Sequence, residues 1–132
     1  MKKHGILNRD IARVLASMGH TDSIVIADCG LPIPAGVECI DLSLSIGTPD
    51  FFSVVDYVLA DFQCEKALFA SEAREKNPAV VECAEAMAAT GCEISMVPHE
   101  EFKAATRHAR AIIRTGEATP YANVVLYSGV IF

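Results

Sequence analysis

Apolar residues recur along the chain with two different periods, which predicts a succession of helices and strands. Within residues 8–18 they follow the i, i+3, i+4, i+7 spacing of an amphipathic helix: Ile11, Val14, Leu15 and Met18. Asn8 is a suitable cap for the start of this helix, and Gly19 is a suitable end. The next run, Ser23–Ala27, is short and rich in β-branched residues, which is typical of a strand buried in a parallel sheet.

The rest of the chain continues this succession. Thr48-Pro49 and Asn77-Pro78 both have the cap-plus-proline pattern of a helix start, with Gly91 ending the second helix. A further helix is predicted to open at 98–101, where acidic residues suit the first turn. The remaining apolar runs predict strands at Val37–Leu42, Ala67–Ala70, Glu93–Val97, Ala111–Arg114 and Asn123–Tyr127.

This order of elements predicts an α/β fold: a three-layer α/β/α sandwich around a mostly parallel sheet, with residues 1–132 as a single domain. In such sheets, ligands bind beyond the carboxyl ends of the strands. Asp28 ends the Ser23–Ala27 strand, His99 follows a later strand, and Tyr121-Ala122-Asn123 precedes the last one. We therefore expect these residues in loops, where a scaffold can present them to a ligand.

Composition narrows the function classes. Apolar residues make up 52% of the chain and charged residues 21%, which excludes a disordered chain. The net charge of −6 argues against nucleic acid or an anionic membrane as partner. No apolar run approaches the roughly 20 residues of a membrane span, and Arg9, Asp10 and Arg13 interrupt any export signal. We expect a cytoplasmic protein.

The five cysteines predict neither a disulfide framework nor a zinc site. Their number is odd and no pair has C-x-x-C spacing, so reduced thiols are the expected state. His20, Asp28 and His99 are of types that bind metals, but no H-E-x-x-H or similar local spacing supports a metal site. The loop after Asp28 matches no nucleotide-binding glycine pattern, so no cofactor is predicted.

Each polar candidate also has an ordinary structural explanation. His20 follows a helix-ending glycine, and most turn histidines have no special role. An acid such as Asp28 directly after a buried strand must be paired, face a cleft or cap a turn. His99 is explained equally well as an ordinary residue in the first turn of a helix. Tyr121 and Asn123 offer donors and acceptors suited to a polyhydroxyl ligand, although packing and turn formation explain them too.

Taken together, four segments resemble the signatures of the D-ribose pyranase (RbsD) family. They occur in matching order over essentially the whole chain: Gly19–Asp22, Asp28–Pro34, His99–Lys103 and Arg114–Asn123. The related L-fucose mutarotases share the Gly-His and Gly-Glu…Tyr elements, whereas the Leu-Pro-Ile-Pro loop and the Tyr-Ala-Asn triplet favour the ribose branch. Cys29 stands where alanine is more usual in this family, and whether it affects the site stays open.

The resemblance implies an isomerase that interconverts the β-pyranose and β-furanose forms of free D-ribose without a cofactor. It implies a ring-based homo-oligomer, either a decamer of two stacked pentamers or an octamer, with sites at subunit interfaces. His20 matches the proton donor, while Asp28, His99 and Tyr121-Ala122-Asn123 match substrate-binding positions. The terminal Val130–Phe132 segment is suited to interface packing or to a strand end in the core.

The implied chemistry suits these residue types. Opening a cyclic hemiacetal removes a proton from the anomeric hydroxyl and delivers one to the ring oxygen, and a histidine serves both directions near neutrality. The sequence leaves two roles for Asp28, orienting His20 or holding a hydroxyl, and two for His99, proton carrier or hydrogen-bond donor. Two alternative functions also stay open: a mutarotase of L-fucose or another monosaccharide, and a non-catalytic sugar-binding accessory of ribose transport.

Overall fold

A six-stranded sheet with five helices forms the molecule. The computed structural model describes residues 1–132. The helices are α1 (Arg9–Ser17), α2 (Phe51–Asp61), α3 (Ala73–Lys76), α4 (Pro78–Ala89) and α5 (His99–Thr106). The strands are β1 (Ser23–Ala27), β2 (Glu38–Asp41), β3 (Cys64–Ala70), β4 (Glu93–Val97), β5 (Ala111–Arg114) and β6 (Val124–Ser128). No helix combines the length and the apolar character that crossing a bilayer requires.

The sheet is mixed, and a single strand is reversed. The strand order is β2-β5-β1-β6-β3-β4. β5 pairs in parallel with both β1 and β2, and β3 pairs in parallel with β4. β6 lies between β1 and β3 and is antiparallel to both of them. Because all other strands point the same way, β6 begins at the edge of the sheet where its neighbours end.

Helices cover both faces of this sheet, which confirms the predicted α/β/α sandwich. Successive residues of a strand alternate between the two faces. In β1, Ile24 and Ile26 face a core shared with α1, α2 and α4, whereas Val25 faces a second core under α5. Phe102 of α5 is fully buried in that second core, so this single helix supplies much of its apolar contact.

The starts of α1 and α2 show where prediction from local sequence succeeds and where it fails. Asn8 caps α1 as predicted, since its side-chain oxygen accepts from the backbone N–H groups of Asp10 and Ile11 at 3.0 Å. Thr48 was the wrong cap for α2. Its backbone N–H and C=O bond Ser45 instead, and the carboxylate of Asp50 accepts from the Ser53 N–H at 2.9 Å. The helix therefore begins two residues later than the Thr-Pro pattern predicts.

Asn77 also departs from its predicted role. It precedes Pro78 at the start of α4, but its side chain makes no bond to that helix. The amide nitrogen instead donates to the Thr119 hydroxyl at 3.0 Å and to the Pro120 carbonyl at 2.8 Å. Asn77 is buried, so its bonds connect α4 to the loop before β6 rather than capping the helix.

The remaining differences concern boundaries and connections. β3 begins three residues before the predicted strand, and β6 begins and ends one residue later. The short helix α3 was not predicted. No helix separates β1 from β2 or β5 from β6, so helices and strands do not alternate strictly. The connection between β5 and β6 is therefore a loop, residues 115–123, and this loop contains several polar residues.

We predict that Asp50→Ala lowers the free energy of unfolding by about 1 kcal/mol through loss of the α2 cap. Hydrogen bonds from the Ser53 hydroxyl and backbone N–H hold the pKa of the Asp50 carboxyl below its usual range. The cap is therefore fully effective above the ordinary pKa of an aspartate and is lost as the pH falls through the lowered value. Urea unfolding at several pH values measures both effects.

Asp56→Ala is the matched control, because Asp56 is an exposed residue inside the same helix. Its removal deletes the same charge without removing a cap. An equal loss of stability in the two variants contradicts the assignment of Asp50 as the cap.

Candidate functional site

Most of the candidate residues meet at one edge of the sheet. Asp28 follows β1, His99 follows β4, and the reversed strand β6 begins at this same edge. Tyr121-Ala122-Asn123 therefore lies beside the ends of its neighbours and not at the far side of the sheet. Strand direction thus brings together segments that are far apart in sequence.

Asp28 and Asn123 form a reciprocal pair. The Asn123 side-chain oxygen accepts from the backbone N–H of Asp28 at 2.9 Å, and its amide nitrogen donates to Asp28 Oδ2 at 2.7 Å. Asp28 Oδ1 accepts from the Gly30 N–H at 2.9 Å. Asn123 is 1% exposed, whereas Asp28 is only partly buried. A buried amide thus holds the Asp28 carboxylate in a fixed direction at the surface of the edge.

His99 and Tyr121 form the aromatic side of this edge. Their ring centroids lie 5.2 Å apart at an interplanar angle of 82°, and the His99 ring also stacks on Phe102 at 6.1 Å. Nδ1 of His99 is buried and has no hydrogen-bond partner, which is rare for such an atom. The His99 side chain therefore contains one buried nitrogen whose hydrogen bonding the single chain does not satisfy.

The backbone around these two rings is also fixed. The His99 N–H donates to both carboxylate oxygens of Glu72 at 3.0 Å, and this bond holds the pKa of Glu72 below its usual range. Tyr121 has a φ of 58°, an uncommon left-handed conformation for a residue with a side chain. Ala122 between Tyr121 and Asn123 is fully buried and packs in the core under α1, α2 and α4.

Glu117 anchors the loop before β6 and was not singled out from the sequence. It is 7% exposed, and its Oε1 accepts from the Ala118 N–H, the Thr119 N–H and the Thr119 hydroxyl at 3.0–3.2 Å. Oε2 accepts from the Phe51 N–H at the start of α2 at 3.2 Å. The sequence signal for this anchoring role is an acidic residue inside a run of small and hydroxyl residues. In the fold, four nearby hydrogen-bond donors satisfy its carboxylate.

Gly116 allows the loop before β6 to pass close to the backbone of Ser45 and Thr48. A Cβ on this residue would lie 2.4 Å from the backbone oxygens of Ser45 and Thr48, so no larger side chain fits. Cys29 is held nearby by its backbone, which donates to the Glu117 carbonyl at 2.8 Å and accepts from Arg114 Nε at 3.1 Å. Cys29 thus belongs to the scaffold of this edge, and the residue is partly exposed there.

His20 does not join this cluster. It lies in the Gly19–Asp22 turn before β1, where the Thr21 N–H donates to the Ser128 carbonyl at the end of β6. The Asp22 carboxylate closes the turn, and bonds from the Gly19 N–H and Arg110 hold its pKa below the usual range. The half-exposed His20 ring places Nε2 2.8 Å from Glu65 Oε2.

Seven residues separate His20 from Asp28, and five of them form β1. At about 3.3 Å per residue, β1 alone is about 16 Å long, so His20 and Asp28 lie at opposite edges of the sheet. One chain therefore assembles Asp28, His99 and Tyr121-Ala122-Asn123 but presents His20 elsewhere. A groove of about 640 Å³ lies between α2 and α4 and contains none of these residues. No group of three His, Cys, Asp or Glu side chains is arranged to hold a metal ion.

These features define a class: an α/β protein with a mixed six-stranded sheet whose one reversed strand gathers hydrogen-bonding groups at one edge. A family model for the RbsD / FucU transport protein family matches residues 1–131. The chain belongs to this family.

Curated relatives match over the full length of both chains. The D-ribose pyranase of Chromobacterium violaceum is 68% identical over 132 residues, and that of Halalkalibacterium halodurans is 61% identical, each with 100% coverage of both proteins. The solved structure of Bacillus subtilis RbsD complexed with D-ribose superposes with a TM-score of 0.96 at 48% identity, covering both chains completely. The solved structure of the fucose mutarotase of Streptococcus pneumoniae in complex with L-fucose superposes with a TM-score of 0.81 at 24% identity. The match covers 99% of this chain and 100% of that chain, so the two proteins share the fold.

We predict that Glu117→Gln lowers the free energy of unfolding by roughly 1–3 kcal/mol. An amide has only one acceptor oxygen, so its NH₂ group must face either the Phe51 N–H or the three donors of residues 118 and 119. One buried donor then loses its partner. Denaturant unfolding measures the loss, with Glu85→Gln as the exposed control on α4. A Glu117→Gln protein as stable as this control contradicts the anchoring role.

Proposed function

We propose that this chain is a D-ribose pyranase, a cofactor-free cytoplasmic isomerase that interconverts the β-pyranose and β-furanose forms of free D-ribose. The observation that carries the proposal is 68% identity, over the complete length of both proteins, to the Chromobacterium violaceum D-ribose pyranase. The close superposition on Bacillus subtilis RbsD complexed with D-ribose supports the same substrate. The five free cysteines are compatible with a reducing compartment.

The chemistry of the Asp28 edge supports a sugar ligand. The fixed Asp28 carboxylate is an acceptor for hydroxyl groups, the partly exposed His99 imidazole bonds one further hydroxyl, and the Tyr121 hydroxyl both donates and accepts. A pentose presents several hydroxyls that both donate and accept, so these groups complement it. In this proposal Asp28 holds a sugar hydroxyl, since its carboxylate is fixed by Asn123 and Gly30 and lies far from the His20 of its own chain.

His20 supplies the proton transfer. Ring opening moves a proton from the anomeric hydroxyl and delivers one to the ring oxygen, and reclosure through another hydroxyl reverses these roles. A positioned histidine contributes about 10²–10⁴-fold to such a reaction. The half-exposed His20 ring lies outside the apolar cores, so it is free to approach a substrate.

A second copy of the chain completes the site. His20 and the Asp28 cluster lie at opposite edges, so head-to-tail contact brings the His20 edge of one subunit to the Asp28 edge of the next. Exposed apolar residues flank both edges: Leu44 and Ile46 near Asp28, and Ile131 and Phe132 beyond β6. Heterologous contacts generate a closed ring when the rotation between subunits closes, and the oligomer proposed here is such a ring, as a decamer of two stacked pentamers or a related octamer.

We predict that His20→Ala retains the fold and the oligomer but slows ring interconversion at least 100-fold, because the proton carrier is lost while the cores are untouched. Saturation-transfer NMR on D-ribose measures exchange between the pyranose and furanose signals. His108→Ala, which removes another exposed histidine, is the matched control. Full activity of His20→Ala overturns its catalytic role.

The same NMR measurement separates the alternative functions. A sugar-binding accessory binds D-ribose without accelerating exchange beyond the protein-free rate. A fucose-type mutarotase accelerates anomer exchange of L-fucose more than pyranose–furanose exchange of D-ribose. The proposed function requires strong acceleration with D-ribose.

Mixing two inactive variants tests the shared site. His20→Ala and Asp28→Ala chains, unfolded and refolded together at equal amounts, are predicted to regain activity, because about one interface in four then joins an intact His20 to an intact Asp28. Each variant refolded alone stays inactive. A mixture no more active than its components shows that each site lies within one chain.

A further inference from the structure

A β-bulge lies at the start of β3, next to His20. In the pairing with β6, Cys64 lies opposite Ser128 and Lys66 lies opposite Tyr127, which leaves Glu65 as an extra residue without a partner. Bulges of this kind redirect a side chain away from its regular position in the strand. Here the redirected side chain is the carboxylate whose Oε2 lies 2.8 Å from Nε2 of His20.

Both members of this contact are held by the end of β6. The Ser128 carbonyl accepts from the Thr21 N–H in the His20 turn, and the Gly129 N–H donates to the Gln63 carbonyl at 2.8 Å on the other side. A Cβ on Gly129 would lie 3.0 Å from the Cβ of Glu65, so the glycine lets the bulge pack closely. The histidine turn and the bulge are thus parts of one local scaffold.

The contact between His20 and Glu65 contributes little to stability as an ion pair. The two side chains are 51% and 59% exposed, and pairs with that exposure contribute little to stability. Its consequence for the position of the ring proton is larger. An ionised carboxylate only accepts hydrogen bonds, so Nε2 must carry the proton, and in the neutral ring Nδ1 is then the unprotonated nitrogen.

We propose that Glu65 is a positioning residue that holds His20 in the Nε2–H tautomer and leaves Nδ1 as the atom that exchanges a proton with the sugar. This inference rests on the proposed function. A carboxylate that orients a histidine in this way fixes both the ring direction and the tautomer, as in other proton-transferring sites.

Kinetics of three variants test the proposal. Glu65→Gln is expected to lower kcat for ribose exchange about 10–100-fold with little change in KM, because its amide can turn either its oxygen or its NH₂ towards Nε2. Glu65→Asp keeps the carboxylate and is expected to retain more activity than Glu65→Gln. Glu93→Gln, an exposed carboxylate on the adjacent strand β4, is the control and is expected to keep wild-type kcat.

The tautomer itself provides a readout that a purely structural role of Glu65 does not predict. Solid-state NMR of the wild-type oligomer labelled with ¹⁵N-histidine, with His20 assigned by comparison with His20→Ala, is expected to show the Nε2–H form of the neutral ring. In Glu65→Gln the same spectrum is expected to show a mixture of both tautomers. A neutral His20 in the Nδ1–H form in the wild-type protein overturns the inference, even if the variants do not fold.

The outcomes distinguish this inference from the proposed function. If His20→Ala loses exchange activity while Glu65→Gln keeps wild-type kcat, the positioning role is wrong and the function stands. A loss in Glu65→Gln that appears only as a raised KM also overturns the role, since it indicates substrate binding instead. If the wild-type protein does not accelerate ribose exchange, the proposed function itself fails.

Discussion

The antiparallel pairing of β6 with β1 and β3 determines where the site residues lie. Five strands run in one direction, and β6 is inserted against them in the centre of the sheet. Its first residues therefore meet the carboxyl ends of β1 and β3, Tyr121 in the loop before it contacts His99 after β4, and the segment after its last residue extends past the opposite edge. If β6 ran parallel to its neighbours, Asn123 would lie at the edge of His20 and could not hold the carboxylate of Asp28.

Buried hydrogen bonds, more than apolar packing, set the shape of the loop between β5 and β6. Glu117 bonds the start of α2, Asn77 at the start of α4 bonds Thr119 and Pro120, and Asn123 bonds Asp28. Each of these groups is nearly fully buried, so leaving one unpaired costs more than the bond contributes when it is made. These bonds together hold the loop and the Tyr121-Ala122-Asn123 segment at its end in place.

The same geometry explains why a single subunit is an incomplete enzyme in the proposed function. A strand of five residues holds the proposed proton carrier and the proposed sugar-binding groups apart. Exposed apolar residues accompany each edge, and in the proposed function they join substrate binding to assembly. At the His20 edge, the bulge that presents Glu65 shows how an irregularity in the strand places a carboxylate beside the His20 ring.

The periodicity of apolar residues alone determined α1, β1, β4 and β5 and the sandwich class, because helix and strand periods depend on neighbouring residues. Ordered motifs identified the family and its candidate residues. The Asp50 cap, the bulge at Glu65 and the anchoring role of Glu117 depended on partners elsewhere in the fold. Only the tertiary structure decided that Asp28, His99 and Tyr121-Ala122-Asn123 converge while His20 lies apart, because strand direction and pairing are set by contacts between residues far apart in the chain.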